Sequence, residues 1–218
     1  MIELINISKY YQRKSVLALN NVNLTVKKGE LVILSGPSGS GKTTLLNIIG
    51  TLVKPSGGLY LFEKTSIPKT EMKLASFRAN KFGFIPQVDS LIPTKTIYAN
   101  IALPLILKRE SKQLIDKKVN QISNQLGIYS RLNSYPENLS GGEKQRATIA
   151  RAVISSPQII LADEPTNSLD KENSNEIIKI FNALHLTGTT IIISTHDQNI
   201  MAMSGQHIRI EEGVIKRI

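Results

Sequence analysis

There is no cysteine anywhere in the 218 residues. Disulfide frameworks, thiolate metal sites and cysteine nucleophiles are thereby excluded together. A long hydrophobic run is missing too. The densest, "IALPLIL" (101–107), is broken by Pro104 and falls well short of the ~20 apolar residues that a membrane-spanning helix needs. The opening "MIELINISKYY" lacks a basic stretch followed by an apolar core, so no secretory signal is expected. Internal repeats and low-complexity linkers are absent. These gaps are what a soluble chain with one sizeable domain would show, in keeping with a reducing cytoplasm. Like charges are not gathered into blocks either. The formal net charge is +10 and the isoelectric point about 9.7, yet the basic residues are scattered and no aromatic stacking motif accompanies them. No nucleic-acid partner is expected; the basic surface suits anionic headgroups or phosphates.

What is present is a series of β-branched apolar runs: "IELINI" (2–7), "VNLTV" (22–26), "LVILS" (31–35), "GLYLF" (58–62), "FGFI" (82–85), "IILAD" (159–163), "TIIIS" (190–194) and "HIRI" (207–210). The runs at 31, 159 and 190 are almost unbroken, the pattern of parallel strands buried on both faces. Helical stripes lie between them. Ile115, Val119, Ile122 and Leu126 line up between a candidate N-cap, Ser111, and a stop at Gly127; Ile177, Ile178, Phe181 and Leu184 form a second stripe within 171–185. Residues of about 87–156 carry helical periodicity and few strand signals, whereas both flanks are rich in strands. The expected fold is α/β: one domain whose core comprises 1–86 and 157–218, with a helical subdomain of about 87–156 inserted.

The stretch "GPSGSGKT" (Gly36, Pro37, Ser38, Gly39, Ser40, Gly41, Lys42, Thr43) fits the P-loop spacing of Gly, four residues, then Gly-Lys-Ser/Thr. A strand precedes it and a helix follows, which is the context such a match requires. Glycines let the loop curl so that backbone N–H groups converge on phosphate oxygens, and the helix N-terminus adds partial positive charge. Lys42 is expected on the β- and γ-phosphates, the Thr43 hydroxyl on Mg²⁺, and Thr44 on an α- or β-phosphate oxygen. Asp163 and Glu164 end a buried strand, where one carboxylate can hold Mg²⁺ and the next can polarise an attacking water. Pro165 then stops the strand. In "LSGGEKQR" (139–146), Ser140 and Glu143 have the spacing of a capping box, and Gly141 and Gly142 leave the helix N-terminus bare.

With that last element in its position ahead of Asp163, the sequence resembles the ABC-type ATPases over essentially its whole length. The resemblance implies a P-loop NTPase fold with a RecA-like mixed-sheet core, an antiparallel β subdomain and the helical insertion. It implies ATP and Mg²⁺ as cofactors, and a head-to-tail homodimer in which Ser140, Gly141, Gly142 and Glu143 meet the γ-phosphate bound by the opposite subunit. It also implies roles for Tyr11 (stacking on adenine, with Tyr10 as the neighbouring alternative), Gln87 (Mg²⁺ and the attacking water), Ser168 and Asp170 in "NSLD" (167–170, the interface loop) and His196 (the γ-phosphate switch). Catalysis would then fall to Glu164, His196, Lys42 and Gln87, and the metal to Thr43, Gln87 and Asp163. Glu143 stands where a glutamine is usual, and Asn167-Ser168 is an uncommon start for the interface loop.

Within the family, "YPENLSGGEKQRATIARA" and "FGFIPQ…LIPTKTIYANIALPL" are similar to the macrolide-exporter, lipoprotein-release, antimicrobial-peptide-export and cell-division branch. This implies an integral membrane permease as partner and a position on the inner face of the cell membrane. A chain ending at "EEGVIKRI" is expected to carry no C-terminal regulatory domain. Chromosome-organising ATPases share the site but insert long coiled coils, and residues 44–138 contain no sustained heptads. In the apolar segment after Gln87, Leu91, Ile92, Ile97 and Ile101 are expected to line a docking groove for the permease, with core packing accounting for about half of that segment's side chains.

Overall fold

The middle of the molecule is built from three strands made almost wholly of aliphatic side chains: β3 (Leu31–Ser35), β7 (Ile159–Asp163) and β8 (Thr190–Ser194). The chain is described here from a computed structural model covering residues 1–11, 16–88 and 90–216. The three strands pair in parallel in the order β3-β8-β7. Because they are covered on both sides, both sets of alternating side chains are apolar. Val32, Leu34, Leu161 and Ile192 enter one hydrophobic cluster, while Ile33, Ile160, Ile191 and Ile193 enter the other. β6 (Phe82–Ile85) extends this sheet on one edge. On the other edge lie β9 (Gln206–Glu211), parallel to β3, and β10 (Val214–Lys216), antiparallel to β9. The result is a six-stranded mixed sheet, β10-β9-β3-β8-β7-β6.

A second, antiparallel sheet has the order β2-β1-β4-β5, from β1 (Ile2–Tyr11), β2 (Val16–Val26), β4 (Gly57–Phe62) and β5 (Thr65–Ser66). Its inner face closes over α1 (Lys42–Ile49), so that Ile2, Leu4, Leu24, Leu45, Ile49 and Leu34 share one core. The opposite face of the mixed sheet is covered by helices.

Between β6 and β7 the described residues form helices and turns: α3 (Ile97–Leu107), α4 (Lys112–Gln125), a 3-10 turn (Tyr129–Arg131), another (Pro136–Asn138) and α5 (Gly141–Val153). Ser111 accepts from the Leu114 N–H and caps α4 as its spacing predicts, and Gly127 follows with a left-handed φ of 65°. The stripe is buried at Ile115, Val119 and Leu126, and the half-buried Ile122 packs against the same cluster. α6 (Lys171–Leu186) buries Ile177 and Phe181 against the sheet, and the short α7 (Gln198–Met201) precedes β9. One helix, α2 (Glu71–Lys81), has no stripe to announce it: Leu74 is its one buried residue.

The loop leading from β6 into α3 is fixed by a buried amide. Asn100 is fully buried; its Oδ1 accepts from the Ile92 N–H at 2.7 Å, and its Nδ2 donates to the carbonyls of Ile92, Lys95 and Thr96. Asn100→Ala removes the partner of these groups, at about 1–3 kcal/mol for such a loss. Urea denaturation should report that decrease, with the melting temperature lower by several degrees.

Candidate nucleotide site

β3 ends at Ser35, and the chain turns at Gly36 with φ 140°. A side chain there is impossible without backbone movement, since a Cβ would lie 2.0 Å from the Ile210 carbonyl oxygen of β9. The loop is also tied to the C-terminal hairpin by the Gly213 N–H, which donates to the Ser40 carbonyl at 3.0 Å. The Ser40 hydroxyl is buried within the loop without a hydrogen-bond partner. Lys42, the first residue of α1, arches back over the loop and its Nζ donates to the carbonyls of Gly36 (2.8 Å) and Pro37 (2.9 Å). Its ammonium, largely buried, is thus held above the concave side with one N–H still to spend.

This loop forms the floor of a cavity of about 510 Å³. Gly36, Pro37, Ser38, Gly39, Gly41, Lys42, Thr43 and Thr44 line it, together with Gln87, Glu164 and His196 from distant parts of the chain and Ala18 of β2. The carboxylate of Glu164 is positioned by its neighbours. His196 approaches Glu164 Oε2 with its backbone N–H at 3.3 Å and its Nδ1 at 2.8 Å. Glu164 itself has a left-handed φ of 47°, and its N–H donates to the Ser194 carbonyl of β8. Such backbone is strained for a residue with a side chain and collects at functional sites. Asp163 is buried, and its Oδ1 accepts from the Ser194 hydroxyl. Ser194 and Ala18 carry no sequence signal: one acts across the sheet from β8, the other is merely small enough to border the cavity.

Thr43, Gln87 and Asp163 all border the inner end of a second, larger groove, and Thr43 and Gln87 face both spaces. Their hydroxyl, amide and carboxylate oxygens are the hard donors that suit Mg²⁺. Among the described residues no cluster of three or more His, Cys, Asp or Glu exists, so an ion here would draw on these mixed oxygens and on phosphate. Tyr11, at the end of β1, lies outside the cavity lining; it is exposed, with the Lys9 ammonium 5.0 Å from its ring centre.

Ser140, Gly141, Gly142 and Glu143 also lie outside that cavity, at the start of α5. The capping box is complete: Glu143 N–H donates to Ser140 Oγ (3.3 Å), and Glu143 Oε2 accepts from the Ser140 N–H (2.8 Å). The Ser140 N–H, followed by the Arg131 side chain, holds the Glu143 carboxyl below the usual carboxylate range. Asp170 caps α6, accepting from the Asn173 N–H at 2.8 Å, and its carboxyl is likewise lowered by Asn173. Gly142 lets α5 lie close to Asn173 of α6, whose side chain would have to move to admit a Cβ, since its Oδ1 lies 2.0 Å from where that atom would sit. Ser168, exposed with φ 70°, lies in the loop before α6. The structure therefore gathers all the predicted residues except Tyr11 into two places: the glycine-rich loop with Gln87, Asp163, Glu164 and His196 around it, and an exposed helix N-terminus beside the 167–170 loop.

The larger groove holds about 800 Å³ and is mostly apolar, with Leu46, Leu52, Phe84, Val88, Leu103, Pro104 and Leu107 among its walls and Arg78, Lys108 and Arg151 among its charged residues. The expectation that Leu91, Ile92, Ile97 and Ile101 line a groove is corrected here. Leu91, Ile97 and Ile101 are buried in the helical core, Ile92 is half-buried, and none of the four borders the groove. Apart from Asn100 and Tyr98, α3 is wholly apolar. It turns the Ile97/Ile101/Leu105 face inward, which leaves Leu103 and Leu107 for the groove.

A glycine-rich loop of P-loop spacing at the end of buried β3, sharing a cavity with Glu164 just past the end of β7, is the arrangement of a P-loop nucleoside triphosphatase. The family model described as "ABC transporter" matches residues 19–167. YvrO of Bacillus subtilis, an uncharacterised ABC transporter ATP-binding protein, is 40% identical over 98% of this chain and 94% of its own length. The macrolide export ATP-binding/permease protein MacB of Bartonella quintana is 41% identical over 92% of this chain, which spans only 30% of that protein. Among solved structures, the dimeric post-hydrolysis state of the ATP-binding cassette MJ0796 bound to ADP and Pi superposes with a TM-score of 0.92 at 38% identity, covering 100% of this chain and 97% of that one. The chain belongs to the ABC transporter family as an ATP-binding, ATP-hydrolysing domain. Its mixed sheet, antiparallel sheet and helices are those of the cassette fold.

Proposed function

We propose that this chain energises a membrane permease carried on another polypeptide, through an ATP-driven closure of two copies, with Mg²⁺ as the companion ion. The observation that carries this reading is the separation of the two predicted half-sites. Lys42, Gln87, Glu164 and His196 share one cavity, while the Ser140 end of α5 faces elsewhere on the same chain and so is available to another copy's nucleotide. Dimeric MJ0796 structures support the same reading. Bound Mg²⁺, held through Thr43, Gln87 and Asp163, would neutralise phosphate charge. The chain's own residues do the rest. Lys42 holds the β- and γ-phosphates. Glu164 takes the proton from the water that attacks the γ-phosphoryl group, and His196 keeps that carboxylate aimed while ADP departs.

No helix among the described residues is long and apolar enough to cross a membrane, and in the MacB relatives a permease region is named alongside the ATP-binding one. The groove next to Gln87 is the surface we assign to the permease, as the seat of a short amphipathic helix. Its apolar walls suit the buried face of such a helix, and it shares Gln87 and Thr43 with the phosphate cavity, so phosphate contacts and docking meet at common residues. Peripheral attachment to the inner membrane face follows, with export or lipoprotein-release work in the manner of the macrolide exporters. A cell-division type of transmembrane signalling is the alternative.

The test is co-purification with a co-expressed candidate permease, such as any membrane protein found to be encoded next to this chain, together with ATPase assays in its presence. Leu103→Glu and Leu107→Glu place a charge on the groove wall. Both are expected to retain ATP hydrolysis by the isolated chain while reducing membrane-subunit capture at least tenfold, about the cost of one badly buried charge at an interface. Capture and stimulation equal to wild type would place docking elsewhere.

A further inference from the structure

Glu143 occupies the third position of α5, in the turn whose free N–H groups the reading above directs at a phosphate of another copy's ATP. By itself a carboxylate there is a liability, since it brings negative charge to a surface meant to meet a triphosphate. Both of its oxygens are nevertheless accounted for: Oε2 accepts from the Ser140 N–H, and Oε1 accepts from Arg131 Nε at 2.7 Å. Arg131 comes from outside the helix, at the end of the 3-10 turn Tyr129–Arg131. Within the pair the Glu143 side chain is 18% exposed and that of Arg131 47% exposed, so the guanidinium lies on the solvent side of the carboxylate it covers. Ser140 Oγ uses a lone pair on the Glu143 N–H, and its hydroxyl also bonds the Glu143 carboxyl. The N–H groups of Gly141 and Gly142 belong to the first turn and have no acceptor within the helix.

We propose that Arg131 is a positioning residue of the nucleotide interface: its guanidinium neutralises Glu143, so that the start of α5 stays attractive to the phosphates of the second copy's ATP. A neutral glutamine at position 143 could keep the bond to the Ser140 N–H without needing the arginine. The Glu143–Arg131 pair delivers the same cap from two charged residues whose charges cancel. This inference rests on the dimer reading given under the proposed function, and the experiment separates the two.

The test uses the full chain with Glu164→Gln, so that ATP is not consumed, and reads the dimer dissociation constant by analytical ultracentrifugation with ATP and Mg²⁺. Adding Arg131→Ala is expected to weaken the dimer on the order of tenfold through the uncovered carboxylate. ATP binding at concentrations too low for dimers, followed with a fluorescent nucleotide, should stay unchanged. Restoring neutrality with Arg131→Ala and Glu143→Gln together should return the dimer to within about twofold of the parent, which loss of a scaffold contact would not do. Arg131→Lys should dimerise like the parent. Arg131→Gln, which can still donate to the carboxylate but carries no charge, should be as weak as Arg131→Ala; it also serves should the alanine variant fold poorly. A parent that dimerises no better than Arg131→Ala or Arg131→Gln overturns the role of Arg131 alone, and so does failure of the Glu143→Gln rescue. A Glu164→Gln chain that binds ATP yet stays monomeric overturns the dimer reading, and this inference with it.

Discussion

Glu164→Gln is expected to slow steady-state ATP hydrolysis by roughly 10²–10⁴-fold, the range for loss of a positioned general base, while ATP binding persists. The substitution keeps the shape of the side chain and one oxygen. The contacts that aim Glu164, from the His196 backbone N–H and Nδ1, can therefore be retained by an amide. What disappears is the ability to take a proton from water. Glu164 owes its place in the cavity to a backbone turn with φ 47°, anchored through its N–H on the Ser194 carbonyl. β7 has already ended at Asp163, and Pro165 follows at once, so the strand cannot resume. Phosphate release compared with nucleotide binding separates the two effects. Turnover within a fewfold of wild type would mean that the proton goes elsewhere.

Lys42→Ala is expected to weaken ATP binding by roughly ten- to a hundredfold, corresponding to the ~1.5–3 kcal/mol of a hydrogen bond to a charged group. The Lys42 ammonium is nearly buried and bridges the Gly36 and Pro37 carbonyls, so it is already held where phosphate charge would gather. Removing it leaves two carbonyl dipoles facing the phosphates with no cation between them. Calorimetric titration with ATP and Mg²⁺ measures this loss, and a thermal melt shows whether the loop is still folded. Affinity close to wild type would deny the lysine its phosphate contact.

Much of this site can be read from the chain because its chemistry depends on neighbours in sequence. The cradle from Gly36 to Thr43 is one continuous segment. The Ser140–Glu143 box is a three-residue spacing, and Ser111 caps α4 in the same local way. β3, β7 and β8 were legible for another reason: burial on both faces leaves an unbroken aliphatic run. Long-range effects were not legible. Ser194 holding Asp163 and Arg131 covering Glu143 are contacts between segments that no local pattern links. The left-handed turn at Glu164 has no glycine to mark it. α2 buries one side chain and so shows no stripe, and β5 and β10, at 2 and 3 residues, are too short to show alternation. The groove's lining was not legible because α3 carries large apolar side chains on several faces. Hydrophobicity alone could not tell that Ile97 and Ile101 turn inward while Leu103 and Leu107 turn out.

In the proposed dimer, one copy's P-loop site is completed by the α5 N-terminus of another. The most direct measurement is the mass in solution of the Glu164→Gln chain, by light scattering after size exclusion, with and without ATP and Mg²⁺. Each chain weighs 24.1 kDa and carries a net charge of +10, so like-charge repulsion opposes pairing until ATP phosphates enter between the copies. The expected result is monomer without nucleotide, twice that mass with it, and monomer again when Ser140→Arg is added to the same chain. A Glu164→Gln chain that binds ATP and remains at 24.1 kDa, or a Ser140→Arg variant that still dimerises, would contradict it.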